Sequence, residues 1–188
     1  MKGNVVHPSR PHRGRAAIAV SITGALMMAT LAGGEAAGLR INATASMPRG
    51  LWRVQAGDPI ERGEIVTVCP PDQADIREAA HRGYIPNGSC PAGYEPLVKP
   101  VAAITGDLVT VTPQGVAVDG KPVANTKPLA EDEAGRPLHP VPIGGYRVAP
   151  GEVWLLSGHD PRSFDSRYFG AVPAANVTGV AHPIWVVP

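Results

Sequence analysis

The sequence predicts a mainly β domain of antiparallel sheets, with short helices confined to loops, behind one N-terminal transmembrane helix. Three observations predict it. Gly 22 and Pro 21 in 188 residues argue for many turns and few long helices. Short alternating or β-branched runs recur between turn signals from Leu51 to Val187. Residues 16–33 carry no charge and follow a basic segment, 1–15, that holds Lys2, Arg10, Arg13 and Arg15 and no acid. The apolar fraction of 44% is enough for a real core, so Pro and Gly mark turns more than disorder.

The elements follow in order. Residues 1–15 read as a cytoplasmic basic segment and 16–37 as a membrane anchor or signal segment, the positive flank staying inside and sending the rest across. An uncleaved anchor is the preferred reading, and small residues from Ala29 to Ala37 offer cleavage sites to the alternative. Residues 38–188 form the exported domain, with Gly38 to Thr44 as the link. Leu51–Gln55 and Glu64–Cys69 are strands, separated by the turn signals Asp58-Pro59 and Arg62-Gly63. Asp72 caps a short helix over roughly 73–82, which Gly83 ends. Strands then run over Leu97–Ile104, Leu108–Thr112, Gly115–Val118 and Lys121–Ala124, with Asp119-Gly120 as a two-residue hairpin turn. Residues 125–145 lack any period and read as a long surface loop. Tyr146–Val148, Glu152–Leu156 and Val177–Val187 complete the strands, with Pro183 at an edge or a bulge.

Composition excludes several functions. The net charge of +1 and the lack of a basic stripe leave no electrostatic case for nucleic acid. Cys69 and Cys90 have no neighbouring cysteine at metal-ligand spacing, and the six histidines form no His-x-x-x-His pair, so no metal is expected. No phosphate-binding glycine loop exists, and no cofactor is expected. In an exported domain Cys69 and Cys90 would pair and staple the segment between them; two independent buried thiols are the alternative.

Candidate chemistry centres on Ser46 and Lys99. A serine is a poor nucleophile until a base takes its proton. A lysine can serve if burial among apolar groups lowers its pKa. Lys99 lies within the apolar run Leu97 to Ile104. A Ser-His-Asp triad through His159-Asp160 is the weaker reading. Trp52 and Trp185 read as core or membrane-facing residues.

Three segments together resemble the type I signal peptidase superfamily. Ser46-Met47-Pro48 matches the nucleophile box, Lys99-Pro100-Val101 followed by Gly106-Asp107 the lysine box, and Ser163-x-Asp165-Ser166-Arg167-Tyr168-x-Gly170 the last box. Within the superfamily the match is to the conjugative-transfer branch, the TraF-type peptidases that mature conjugative pilins. The Pro100 in place of the usual arginine, and Ser157-Gly158-His159 in place of Gly-Asp-Asn, both favour that branch. The resemblance implies the signal-peptidase-like β fold and a Ser/Lys serine endopeptidase in the inner membrane, its domain in the periplasm. It implies that Ser46 attacks and Lys99 is the general base, while the Ser46 backbone N–H and the Thr44 hydroxyl hold the oxyanion. Ser163 would orient the Lys99 amine, and Asp165 and Arg167 would form a structural ion pair. In the conjugative branch the aspartate is also counted as catalytic, and the two roles of Asp165 stay open. The partners implied are a pilin precursor, membrane lipid and proteins of the transfer apparatus. Hydrolysis and cyclisation of the pilin are both compatible with a Ser46 ester. A general signal peptidase and an inactive scaffold of the transfer apparatus are the alternative readings.

Overall fold

The computed structural model describes residues 37–187, so the expected basic segment and anchor lie outside the described residues apart from Ala37. Among the described residues no helix is long and apolar enough to cross a membrane.

The domain is mainly β. Its strands are β1 Leu39–Asn42, β2 Arg49–Gln55, β3 Ile65–Val68, β4 Leu97–Ile104, β5 Leu108–Thr112, β6 Gly115–Val118, β7 Lys121–Pro122, β8 Gly144–Arg147, β9 Glu152–Leu155, β10 Val172–Pro173 and β11 Val177–Val187. Among the described residues two α-helices interrupt them, α1 Ala74–His81 and α2 Ser166–Phe169. A seven-stranded sheet has the order β1-β2-β11-β3-β4-β9-β10, and a four-stranded sheet the order β7-β6-β5-β8. The pairings are antiparallel.

β4 is central to the architecture. It runs between β3 and β9, with Lys99 opposite Val66 and Val101 opposite Leu155. A proline in an inner strand normally breaks a ladder bond. Here the N–H of Leu156 donates to the Pro100 carbonyl, on the β9 side, where the register shifts between Val101 and Ala103. The missing N–H of Pro100 therefore falls where the ladder is already irregular. The same shift lets neighbouring residues feed two cores. Val101, Val153 and Leu155 join Val66, Val68, Ile76 and Val180 in one core, while Ala103, Trp154 and Leu156 join Val109, Val111, Val116 and Val118 in the other.

Several expectations are refined. Gly38 to Thr44 is not a plain link, because Leu39–Asn42 pairs with β2 as an edge strand. The α1 N-cap is Gln73, without a side-chain cap bond. Asp72 instead pairs with Arg77 at 2.7 Å, since its position one residue too early puts its carboxylate beside the helix flank. Gly83 follows the helix at φ +82, and its N–H donates to Ala80 O. Asp119 and Gly120 both have positive φ, 48° and 76°, as a two-residue hairpin turn requires. A bulge separates Pro183 from Trp185 in β11. Trp52 is 2% exposed and packs with Met47 and Ala181, which rules out lipid contact for that residue. Trp185, at 67% exposure, faces outward instead.

Cys69 and Cys90 form a disulfide with Cα atoms 5.5 Å apart. It closes the excursion that carries α1 off the main sheet. Closing a loop of this length contributes about 3 kcal/mol in the chain-entropy model.

Candidate active site

Ser46 sits in a tight turn between β1 and β2, and Asn42 builds that turn. The Asn42 side chain is buried. Its Oδ1 accepts from the Thr44 N–H at 3.2 Å and from the Thr44 hydroxyl at 2.8 Å. Its amide donates to the carbonyls of Thr44, Met47 and Pro48 at 3.0 to 3.1 Å. One side chain thus satisfies five backbone and side-chain groups of the turn, a short-range role for which asparagine is suited. Met47 is buried just beyond, and the Trp52 indole N–H donates to Pro48 O at 3.2 Å. These contacts fix both sides of Ser46.

The Ser46 hydroxyl lies 3.2 Å from the Thr44 hydroxyl. A hydroxyl carries one proton. Since Thr44 donates to Asn42, it accepts from Ser46 in this arrangement.

Lys99 enters from β4. Its side chain is 4% exposed and lines the same cavity as Ser46, about 790 Å³ in volume. No hydrogen bond or ion pair ties its amine to another described residue. Burial disfavours the ammonium form and brings the pKa from the ordinary 10.5 to about 8; Asp165 and Asp160 oppose that shift and Arg167 assists it. The balance leaves about a tenth of the amine neutral at pH 7, against well under a hundredth for an ordinary lysine.

Asp165 and Arg167 lie under the cavity floor, both fully buried. Asp165 Oδ1 accepts from the Arg167 backbone N–H at 3.1 Å and from its Nε at 2.9 Å. Oδ2 accepts from Arg167 Nη2 at 2.8 Å and from the Ser157 N–H at 3.1 Å. Asp165 is also the N-cap of α2. Arg167 spends its other donors on the carbonyls of Asn125, Lys127, Pro161 and Ser163, at 3.0 to 3.4 Å. A buried pair so fully hydrogen-bonded is costly to break.

Ser163 is delivered to the cavity by this network, its carbonyl accepting from Arg167 and its N–H donating to Asp160 O at 3.0 Å. Among the described residues its buried hydroxyl takes no hydrogen-bond partner, so the bond to Lys99 implied by the resemblance is not made in this arrangement. Both ends of that bond are present in the cavity and both are uncommitted.

Comparison with known families matches residues 14–186 to signal peptidase, peptidase S26. The chain belongs to the signal peptidase S26 family. Family membership supports a serine peptidase. The chain is 38% identical over 90% of its length to the plasmid transfer protein TraF of Escherichia coli, of which it covers 95%. It is 37% identical to the conjugal transfer protein TraF of Agrobacterium fabrum, with 88% of this chain and 93% of that protein aligned. Identity to the probable conjugal transfer protein TraF of Sinorhizobium fredii is 42%, with 78% of this chain and 77% of that protein aligned. Among solved structures, a signal peptidase I from Enterococcus faecalis aligns with 67% of this chain and 98% of its own, at 22% identity and a TM-score of 0.36.

For a peptidase of this family, two parts of the cavity escaped the sequence reading. The first is Asn42, whose position before a turn was a usable signal. The second is the loop after β7, expected at the surface but folded over the cavity, with Leu129, Asp132, Glu133 and Leu138 among its lining. It is held down by Arg167, and by the Leu129 N–H donating to the Tyr168 hydroxyl at 3.1 Å. Further out, Asp132 accepts from Tyr84 and from Arg136, and Glu133 pairs with Arg162. The Tyr84 hydroxyl in particular holds the Asp132 carboxyl well below the usual carboxylate range. Apart from Asp132–Arg136, four residues apart, none of these links had a local sequence signature, because each joins residues far apart in the chain.

Proposed function

We propose that this chain is a membrane-anchored serine endopeptidase, with Ser46 as nucleophile and Lys99 as general base, that matures a pilin precursor in plasmid conjugative transfer. The observation that carries the reading is the shared cavity: a half-exposed serine and a buried amine with no ion-pair partner among the described residues, its pKa brought to about 8. The TraF relatives, by name conjugal or plasmid transfer proteins, support the conjugative setting.

In this mechanism neutral Lys99 takes the Ser46 proton as Oγ attacks the scissile carbonyl. The oxyanion forms beside the Ser46 backbone N–H, and Thr44 joins by turning its proton from Asn42. One such donor is typically worth about 3 kcal/mol of barrier. The ammonium of Lys99 then returns its proton to the leaving amine, and the acyl-enzyme ester is resolved by water or by an amine. The uncommitted Ser163 hydroxyl accepts from the Lys99 ammonium and steadies it between the two steps. Asp165 holds the floor: its oxygens are occupied by Arg167 and Ser157, which favours a structural role over proton transfer.

The anchor at 16–37 and a periplasmic domain complete the proposal. The Cys69–Cys90 disulfide supports an oxidising compartment. Ile41, Leu51 and Trp185 are partners across β1, β2 and β11, and Ile41 and Trp185 are both exposed. That apolar row beside the cavity supports contact with lipid.

The test is the intact mass of the plasmid's pilin in cells carrying this protein against cells carrying Ser46→Ala or Lys99→Ala. A pilin shortened only by the intact protein supports the reading; a mass one water lower again marks a ring. Equal masses in all strains would remove it. A wide set of unprocessed exported proteins would instead point to a general signal peptidase.

A further inference from the structure

Ser157 lies just past the end of β9 and is fully buried. Its hydroxyl donates to the backbone carbonyl of Ser46. The same oxygen accepts from the His159 N–H at 3.2 Å, and its one proton goes to the Ser46 carbonyl in preference to the weaker Met47 sulfur acceptor at 3.7 Å. Its own N–H donates to Asp165 Oδ2 at 3.1 Å. One residue therefore joins the nucleophile's main chain to the buried ion pair. The segment around it cannot drift. A Cβ on Gly158 would stand 2.9 Å from Ala124 O, and the Gly158 carbonyl accepts from Asn125 Nδ2 at 2.8 Å.

We infer that Ser157 is a positioning residue for the nucleophile, fixing the peptide plane after Ser46 and coupling it to the Asp165–Arg167 pair. The carbonyl of Ser46 and its Oγ share one Cα. Holding the carbonyl sets the backbone angles that aim both Oγ and the Ser46 N–H at the cavity. Asn42 fixes the turn through Thr44, Met47 and Pro48 but makes no bond to the Ser46 carbonyl. Ser157 fills that position. Removal of Asp165 is thus transmitted to Ser46 through Ser157 without any proton passing through the carboxylate. The inference rests on the peptidase reading above.

The test uses the full chain in detergent and a fluorogenic peptide spanning the pilin-precursor processing junction. Misplacing a reacting group by about 1 Å costs on the order of 100-fold. Ser157→Ala should lower kcat roughly 10- to 100-fold with KM within about twofold. Ser157→Cys, close in size and a weaker donor, should recover part of that loss. Val111→Ala, in the core of the four-stranded sheet, supplies a destabilised control away from the cavity. It should lower Tm at least as much as Ser157→Ala while keeping kcat. Unchanged kcat in Ser157→Ala, or an equal loss in Val111→Ala, would overturn the inference. No Ser46-dependent cleavage by the wild type would overturn the peptidase reading itself, and this inference with it.

Discussion

Replacing Lys99 by methionine should abolish turnover and make the domain more stable. The amine is buried, and its pKa lies at about 8 against the ordinary 10.5. Between those values the unfolded chain binds a proton that the folded chain does not. Stability therefore rises with pH across that window, and the cost of burying the ammonium is present in full below about pH 8. The difference between the two pKa values corresponds to about 3 kcal/mol. Methionine has a similar length and no charge, so Lys99→Met should gain about that much at pH 7, or roughly 6 to 12 °C in Tm for a domain of this size. The gain should shrink below about 1 kcal/mol at pH 10, where the folded wild type holds a neutral amine and most of the linkage has been relieved. Urea unfolding of both proteins at pH 7 and pH 10 measures this. Equal stability at pH 7, or a difference that does not change with pH, would refute the claim that Lys99 is a strained, partner-free cation.

Further predictions concern activity and fold. Because the base must be neutral, kcat/KM for a junction peptide should climb with pH and level off above about 8; a flat profile from pH 6 to 9 would exclude Lys99 as the base. Thr44→Val should lower kcat roughly 100-fold while leaving Tm near the wild-type value, measured by steady-state kinetics and a thermal melt. Asp165→Asn leaves Arg167 buried without its counter-charge, and should cost about 3 to 5 kcal/mol in urea unfolding. Reduction of Cys69–Cys90 should cost about 3 kcal/mol, seen as a lower urea midpoint in the presence of a reductant. Gly50→Ala should not yield a stable fold, since its Cβ would meet Trp185 O at 2.1 Å at a φ of 144°.

Local chemistry determined much of this protein. Turn residues and alternating runs specify short antiparallel strands, and Asp119-Gly120 encodes its hairpin because positive φ at both positions is a property of those two residues. The three boxes that carry Ser46, Lys99 and Ser163 to Gly170 were legible as a set for the same reason: they are contiguous. Tertiary structure alone decided what surrounds them. Whether Lys99 would be buried depended on β4 lying between β3 and β9, and nothing in Leu97–Ile104 states its neighbours. Trp52 and Trp185 look alike in sequence, yet β2 turns one into the core while the other lies in a stretch of β11, His182–Trp185, whose residues are all exposed. Ser157 and the cavity-covering loop act mainly through contacts between distant segments, up to 111 residues apart in the chain. Sequence fixes the chemical identity of each group, but burial and partner choice, which set pKa and orientation, arise only when distant segments share one interior.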